Sequence, residues 1–395
     1  MFTLHQSPTD PAFVQDPYPV YHRARAAGGD LVWWQDYDMP CALGHRAVHS
    51  LLRDRRFGRE IPAELASPPP AHLAAFYAVE GHSMLELEPP RHTRLRGLVL
   101  RAFTSRRIAA LAPEIEVLAH RLIDTFPANA PFDLLPAYAR LIPVITIARL
   151  LGVPEDRADD LLGWSNAMVG MYQARRTRTM EEDAARAAAD FTAFLQDYID
   201  QRRHAPADDL ITHLIAAEDD GARLSTPELI ATCILLLNAG HEATVHSIGN
   251  ATRLLLGMPD ARTHLVPDRI SATVEELLRL DPPLHMFTRY AYADVTLWGH
   301  SFKRGDKVGL MLGAANRDPA IWPDPDRFDP SRAATAHSAF GAGLHFCVGA
   351  PLARLEMQIA LSALFSRCPN LRLDGPPRFA DSFHFHGLDA LIVRV

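Results

Sequence analysis

No apolar run in this chain is long enough to span a membrane. Its longest, such as residues 234–237, fall far short of the ~20 residues that a spanning helix requires. Residues 1–8 lack a positive segment followed by an apolar one, so no secretory signal or membrane association is expected, and a cytoplasmic location is. Cysteine is scarce. Cys41, Cys233, Cys347 and Cys368 are irregularly spaced and match neither a disulfide framework nor a zinc site. Positive charge is not in excess either: the formal net charge of -7 gives no argument for nucleic-acid binding. Internal repeats and a flexible interdomain linker are also missing.

What is present centres on one cysteine. Phe340-Gly341-Ala342-Gly343-Leu344-His345-Phe346-Cys347-Val348-Gly349 sets Cys347 among glycines, just ahead of an apolar run with helical spacing and Pro351 in its first turn. Sulfur at that point meets unpaired backbone N–H groups and the positive end of the helix dipole, which favours thiolate. A thiolate there can be a nucleophile, a redox thiol or an axial metal ligand. A buried cysteine beside a glycine turn is also ordinary packing.

The second feature is a long helix. Ser225, Thr226, Pro227 and Glu228 predict a capping box, and the apolar pattern continues to Leu256 before Gly257 and Pro259. About thirty residues at ~1.5 Å each span roughly 45 Å. In the middle lies Leu237-Asn238-Ala239-Gly240-His241-Glu242-Ala243-Thr244-Val245. Glycine followed by polar residues weakens a helix, so a ligand lying against the backbone explains the segment better than core packing does.

Elsewhere, strands are predicted at 31–34, 39–43, 371–373 and 391–395. Helices are predicted at 45–52, 71–78, 111–126, 137–151 (kinked at Pro143), 156–172, 181–203, 210–218 and 272–280. A polar linker is expected at 173–180, and a hairpin over 295–308 with Lys303-Arg304-Gly305-Asp306 as its turn. His92 and Arg96 fall on one helix face, as do Glu276 and Arg279. Spacing alone makes the first pair a basic stripe and the second an ordinary salt bridge.

Phe-x-x-Gly-x-x-x-Cys-x-Gly at 340–349 resembles the haem-binding loop of the cytochrome P450 family. His-Thr-Arg-Leu-Arg at 92–96, Ala-Gly-x-Glu at 239–242 and Glu-x-x-Arg at 276–279 resemble three further motifs of that family. Length alone would suggest two or three domains. The resemblance instead implies one unit over 1–395, mainly α with small β-sheets and a long central helix over haem. It implies haem b with Cys347 as iron ligand, and thiolate-assisted O–O cleavage. His92, Arg96, Arg289 and His345 match propionate contacts. Phe340, Gly343 and Gly349 belong to the ligand loop, and Ala239 and Gly240 to the oxygen-binding groove. Glu276 and Arg279 match a structural pair that fixes a meander near Arg327, Phe328 and Pro330.

One position departs from the family pattern. Ala243 stands where most members carry the threonine that organises proton delivery. Thr244 follows it, but a one-residue step turns it by about 100 degrees, so it is no simple substitute. This predicts a modified route through Glu242, ordered water and a hydroxyl or carbonyl of the substrate. The implied activity is monooxygenation of a hydrophobic small molecule with O2. Electrons would come from NAD(P)H through a reductase and a ferredoxin or flavodoxin-like donor, and Arg101, Arg106 and Arg107 are candidates to meet that donor. The chain is expected to act as a monomer. Candidate pocket residues are Phe76, Met84, Leu85, Met168, Met171, Leu284, Met286, Phe287 and Phe385. A peroxide-driven oxygenase or isomerase, and a haem sensor or carrier without turnover, are the rival readings.

Overall fold

The structure is a computed structural model that describes residues 1–395 except 174–175, 218–220, 222 and 334, together with the side chain of Pro259. Parts of the expected 173–180 linker and the end of the expected 210–218 helix therefore lie outside the described residues.

A helix over Thr226–Gly257 runs through the centre. Its start follows from local chemistry. Ser225 Oγ accepts from Glu228 N at 3.5 Å, while Glu228 Oε2 accepts from Ser225 N at 2.9 Å, with Pro227 in the first turn. Residues 229–238 are all buried, so the helix is wrapped on every side rather than amphipathic. Helices Leu141–Leu151, Ala158–Val169, Arg178–His204 and Ala350–Arg367 pack on it and share one large apolar core. Burial of their side chains, at roughly 1.5–3 kcal/mol for each large one, is the main force holding this bundle.

Pro143 sits in the first turn of Leu141–Leu151, where a helix over 137–151 was expected. It lacks the N–H that would reach the Ala139 carbonyl, and the turn before it widens into a π segment over Leu135–Ala139. Arg140 N accordingly bonds the Leu135 carbonyl five residues back at 2.9 Å.

A six-stranded sheet flanks the bundle. Its order is Thr3–Leu4, Leu31–Trp34, Met39–Ala42, Lys307–Met311, Met286–Ala291 and Phe57–Gly58. A second core lies under this sheet, built on Phe13, Tyr21, Trp34 and Phe383 with edge-to-face ring contacts. The expected hairpin is corrected in its turn. Val295–Leu297 and His300–Phe302 pair across Trp298 and Gly299, both at positive φ, whereas 303–306 leads into the sheet strand Lys307–Met311. Among the described residues, no helix is long and apolar enough to cross a membrane.

Candidate functional site

The cysteine loop is held by two constraints. Cys347 N donates to the Phe340 carbonyl at 3.0 Å, closing the loop on itself. Gly343, at φ +69, lies so close to the His45–Arg53 helix that a Cβ would sit 2.4 Å from the Leu52 carbonyl oxygen. Gly349 caps the helix Ala350–Arg367. Burial pushes the Cys347 thiol up; the backbone N–H groups of Gly349 and Ala350 and the guanidiniums of Arg96 and Arg354 oppose that rise without cancelling it. On balance these surroundings leave the neutral thiol favoured, against the thiolate expected at a helix N-terminus, and a cation on the sulfur would supply the stabilisation that thiolate lacks.

Basic side chains gather beside this loop. Arg96 Nη2 donates to the Phe346 carbonyl at 2.7 Å. The rings of His92 and His345 lie 4.4 Å apart, and His345 Nε2 donates to Glu88 Oε1 at 2.9 Å. His92 is buried with Nδ1 unpartnered, and burial, His345 and Arg96 push its pKa down to about 4. Arg289 is buried, donates among the described residues only to the Thr288 carbonyl, and is pushed down to about 9 by burial and by Arg59. A buried cation without a bonded anion is costly. Arg59 and Glu88 were not singled out from the sequence; Glu88 opens the same Glu-Pro-Pro-Arg-His stretch and was legible there, whereas Arg59 carries no local signal.

On the central helix, Ala239 is exposed immediately after the unbroken buried run, and nothing lies within 4 Å of where a Gly240 Cβ would point. Glu242 Oε1 accepts from His246 Nε2 at 3.1 Å, and His241 Nδ1 lies 3.7 Å from Oε2. Burial raises the Glu242 carboxyl, but His246, His241 and Arg140 outweigh it and hold the group below the usual carboxylate range. Ala243 carries no hydroxyl, and its carbonyl accepts from Ser247 Oγ at 2.8 Å. Thr244 is buried, as its rotation along the helix requires.

The candidate pocket residues divide. Phe76, Met84, Leu85, Met168 and Met171 all border the large core around the central helix, and Asn238 Nδ2 reaches Met168 Sδ at 3.8 Å. Phe287 stands under Arg59 and Arg289, each 5.8 Å from its ring centre. Leu284 forms an isolated bridge with Phe385, whose ring lies 5.8 Å from that of His246. Met286 is a correction. Strand alternation turns it to the opposite face from Phe287, into the second core against Cys41 and Met39 around Gly309.

The Leu284–Phe385 bridge rests on a buried network missed in the sequence. Asp281 Oδ1 accepts from His386 Nδ1 and from Tyr18 Oη, each at 2.9 Å; Asp281 Oδ2 accepts from Arg253 at 2.9 Å; His285 Nδ1 lies 3.0 Å from Tyr21 Oη. Asp281, His285 and His386 have metal-ligand spacing. With Arg253 bonded to the carboxylate and Arg317 lying 3.3 Å from the Tyr18 ring centre, its charge is already met, and we read it as a structural network. Glu276 and Arg279 form a buried bidentate pair at 2.7 and 2.8 Å. Arg279 also donates to the Asn316 and Pro325 carbonyls, and Glu276 accepts from Asp329 N.

Comparison with known proteins fits this arrangement. The sequence profile described as Cytochrome P450 matches residues 270–379. Cytochrome P450 107B1 of Saccharopolyspora erythraea is 42% identical over 320 residues, covering 80% of this chain and 77% of that protein. Mycinamicin IV hydroxylase/epoxidase of Micromonospora griseorubida is 39% identical over 369 residues, covering 92% and 88%. The crystal structure of P450BioI in complex with hexadec-9Z-enoic acid ligated acyl carrier protein matches with a TM-score of 0.90 at 32% identity, covering 97% of this chain and 99% of that one. The chain is a haem-binding oxidoreductase of monooxygenase type and belongs to the cytochrome P450 family.

Proposed function

We propose that residues 1–395 act as one catalytic unit in which Cys347 ligates the iron of haem b and the chain oxygenates a hydrophobic small molecule. The observation that carries this is the Cys347 sulfur at a helix N-terminus, together with buried His92, whose Nδ1 is unpartnered, and buried Arg289, which has no bonded carboxylate among the described residues. Those two groups fit propionates as hydrogen-bond donors, with Arg96 and His345 completing the donor set. Ala239 and Gly240 fit a flat group approaching the helix, since no side chain fills the space before them. Bound haem supplies O2 activation and transfer of one oxygen atom to the substrate, the other leaving as water.

The protein's own work is to position and to move protons. Phe76, Met84, Leu85, Met168, Met171, Leu284, Phe287 and Phe385 offer apolar surface to a substrate. Glu242, ionised at neutral pH, stands in for the missing threonine hydroxyl as proton carrier, together with water and a polar group of the substrate. Electrons from NAD(P)H arrive through a reductase and a ferredoxin or flavodoxin-like donor in the cytoplasm. The mycinamicin IV hydroxylase/epoxidase shows what chemistry a relative of this closeness performs, and hydroxylation or epoxidation is the expected outcome here.

Reduced protein with carbon monoxide should give the red-shifted absorption of thiolate ligation, and Cys347→Ala should lose both that band and NAD(P)H-dependent product. Retention of the band in Cys347→Ala overturns the assignment. Ala243 favours one second reading, a peroxide-driven oxygenase. Product formed with peroxide, and none with NAD(P)H and a donor, would decide for it.

A further inference from the structure

Glu242 can carry protons repeatedly only if something refills it. Its carboxylate lines a partly open cavity of about 210 Å³ with Arg140, Asn166, Gln173, His241 and His246. That space has room for several waters at ~30 Å³ each, and its walls are polar enough to bind them. His246 sits one turn further along the helix, with Nε2 3.1 Å from Glu242 Oε1. A separate feature of the chain accommodates its ring. A Cβ on Gly387 would lie 1.8 Å from His246 Nδ1, so any other residue there would displace the imidazole. Phe385, two residues before that glycine, faces the same ring. His241 differs: it is buried with both ring nitrogens unpartnered, and burial pushes its pKa down to about 4. It is neutral at pH 7 and does not feed Glu242.

We propose that His246 is the proton inlet of the distal side, passing protons from cavity water to Glu242. The step balances without electrons. A hydronium ion in the cavity water gives a proton to Nδ1 as His246 Nε2–H gives its proton to the Glu242 carboxylate at Oε1; Glu242 passes that same proton toward the substrate side, and exchange with water returns the ring to its Nε2–H tautomer. His246 acts through Glu242 and touches no reacting atom. The inference rests on the oxygenase reading above, and one arm of its test does not.

That arm is infrared spectroscopy of the haem-loaded chain with isotope-labelled glutamate, read between pH 5 and pH 8. Glu242 should stay ionised across this range. In His246→Phe, loss of the hydrogen bond leaves burial dominant, so a protonated carboxyl band should grow toward pH 5 and vanish in His246→Phe/Glu242→Gln. The second arm measures peroxide released per NAD(P)H. His246→Gln keeps a donor to Glu242 but cannot relay, so product formation should fall ~10-fold or more, at the low end of proton-transfer effects, with peroxide rising in proportion. Wild-type coupling in His246→Gln reduces His246 to a holder of Glu242 and overturns the inlet. An unchanged Glu242 band in His246→Phe overturns the contact itself. Absence of turnover in every variant and in the wild type removes the oxygenase reading, while the infrared arm still decides the contact.

Discussion

The cysteine loop and the middle of the central helix both rely on glycine, for opposite reasons. At Gly343 the neighbouring helix leaves no room for a Cβ, and the backbone is in the left-handed region. At Gly240 the helix is regular, and nothing lies within 4 Å of where a Cβ would go. Crowding marks the first region as a rigid seat, fixed by backbone contacts before any ligand arrives. Openness marks the second as a surface kept clear. The charges differ in the same sense. Beside the loop, Arg289 has no bonded carboxylate among the described residues and His92 Nδ1 has no partner, whereas on the helix Glu242 already has its partner in His246.

The largest test of this contrast is Gly343→Ala. Positive φ strain and a Cβ against the Leu52 carbonyl together should destabilise the chain by about 3 kcal/mol and misplace Cys347. Chemical denaturation should report the loss, and the carbon monoxide spectrum should weaken in parallel. A stable variant with an unaltered spectrum would mean that the loop is not a fixed seat.

Much of this was legible in the sequence, and what escaped has physical causes. The capping box at Ser225 and Glu228 and the Glu276–Arg279 pair are local, so spacing alone specified their geometry. Met286 was misplaced because Leu284, Met286 and Phe287 are all apolar, and apolar residues without polar alternation do not reveal which of them share a side. The turn at Trp298 and Gly299 lost to Arg304-Gly305-Asp306 because a tryptophan at positive φ gives no turn signal. Arg59 and the Tyr18–Asp281–His386 network join segments far apart in the chain, beyond the reach of periodicity.

A smaller effect should come from Ala243→Thr, which restores the hydroxyl most family members carry. Its carbonyl already accepts from Ser247 Oγ, so the new hydroxyl would enter a helix whose local bonds are complete. Coupling of NAD(P)H to product should change by a few-fold, well below the 10²–10⁴-fold reach of a full acid–base group. The measurement is peroxide released against product formed, in both proteins. Equal coupling would show that the alanine is neutral and that no substitute route through Glu242 is needed.

The smallest and most diagnostic change is Gly240→Ala. Alanine favours a helix interior over glycine by about 1 kcal/mol, and open space around the new methyl adds no clash. The haem-free chain should therefore gain about that much stability, the reverse of Gly343→Ala. In the haem-loaded protein the same methyl would stand in the space the oxygenase reading reserves for O2 and substrate, so substrate-induced spectral shifts should diminish and turnover should fall. Stability and activity moving in opposite directions would identify Gly240 as kept for function. Turnover equal to that of the unaltered protein would mean that the clear space before Gly240 serves nothing that binds there.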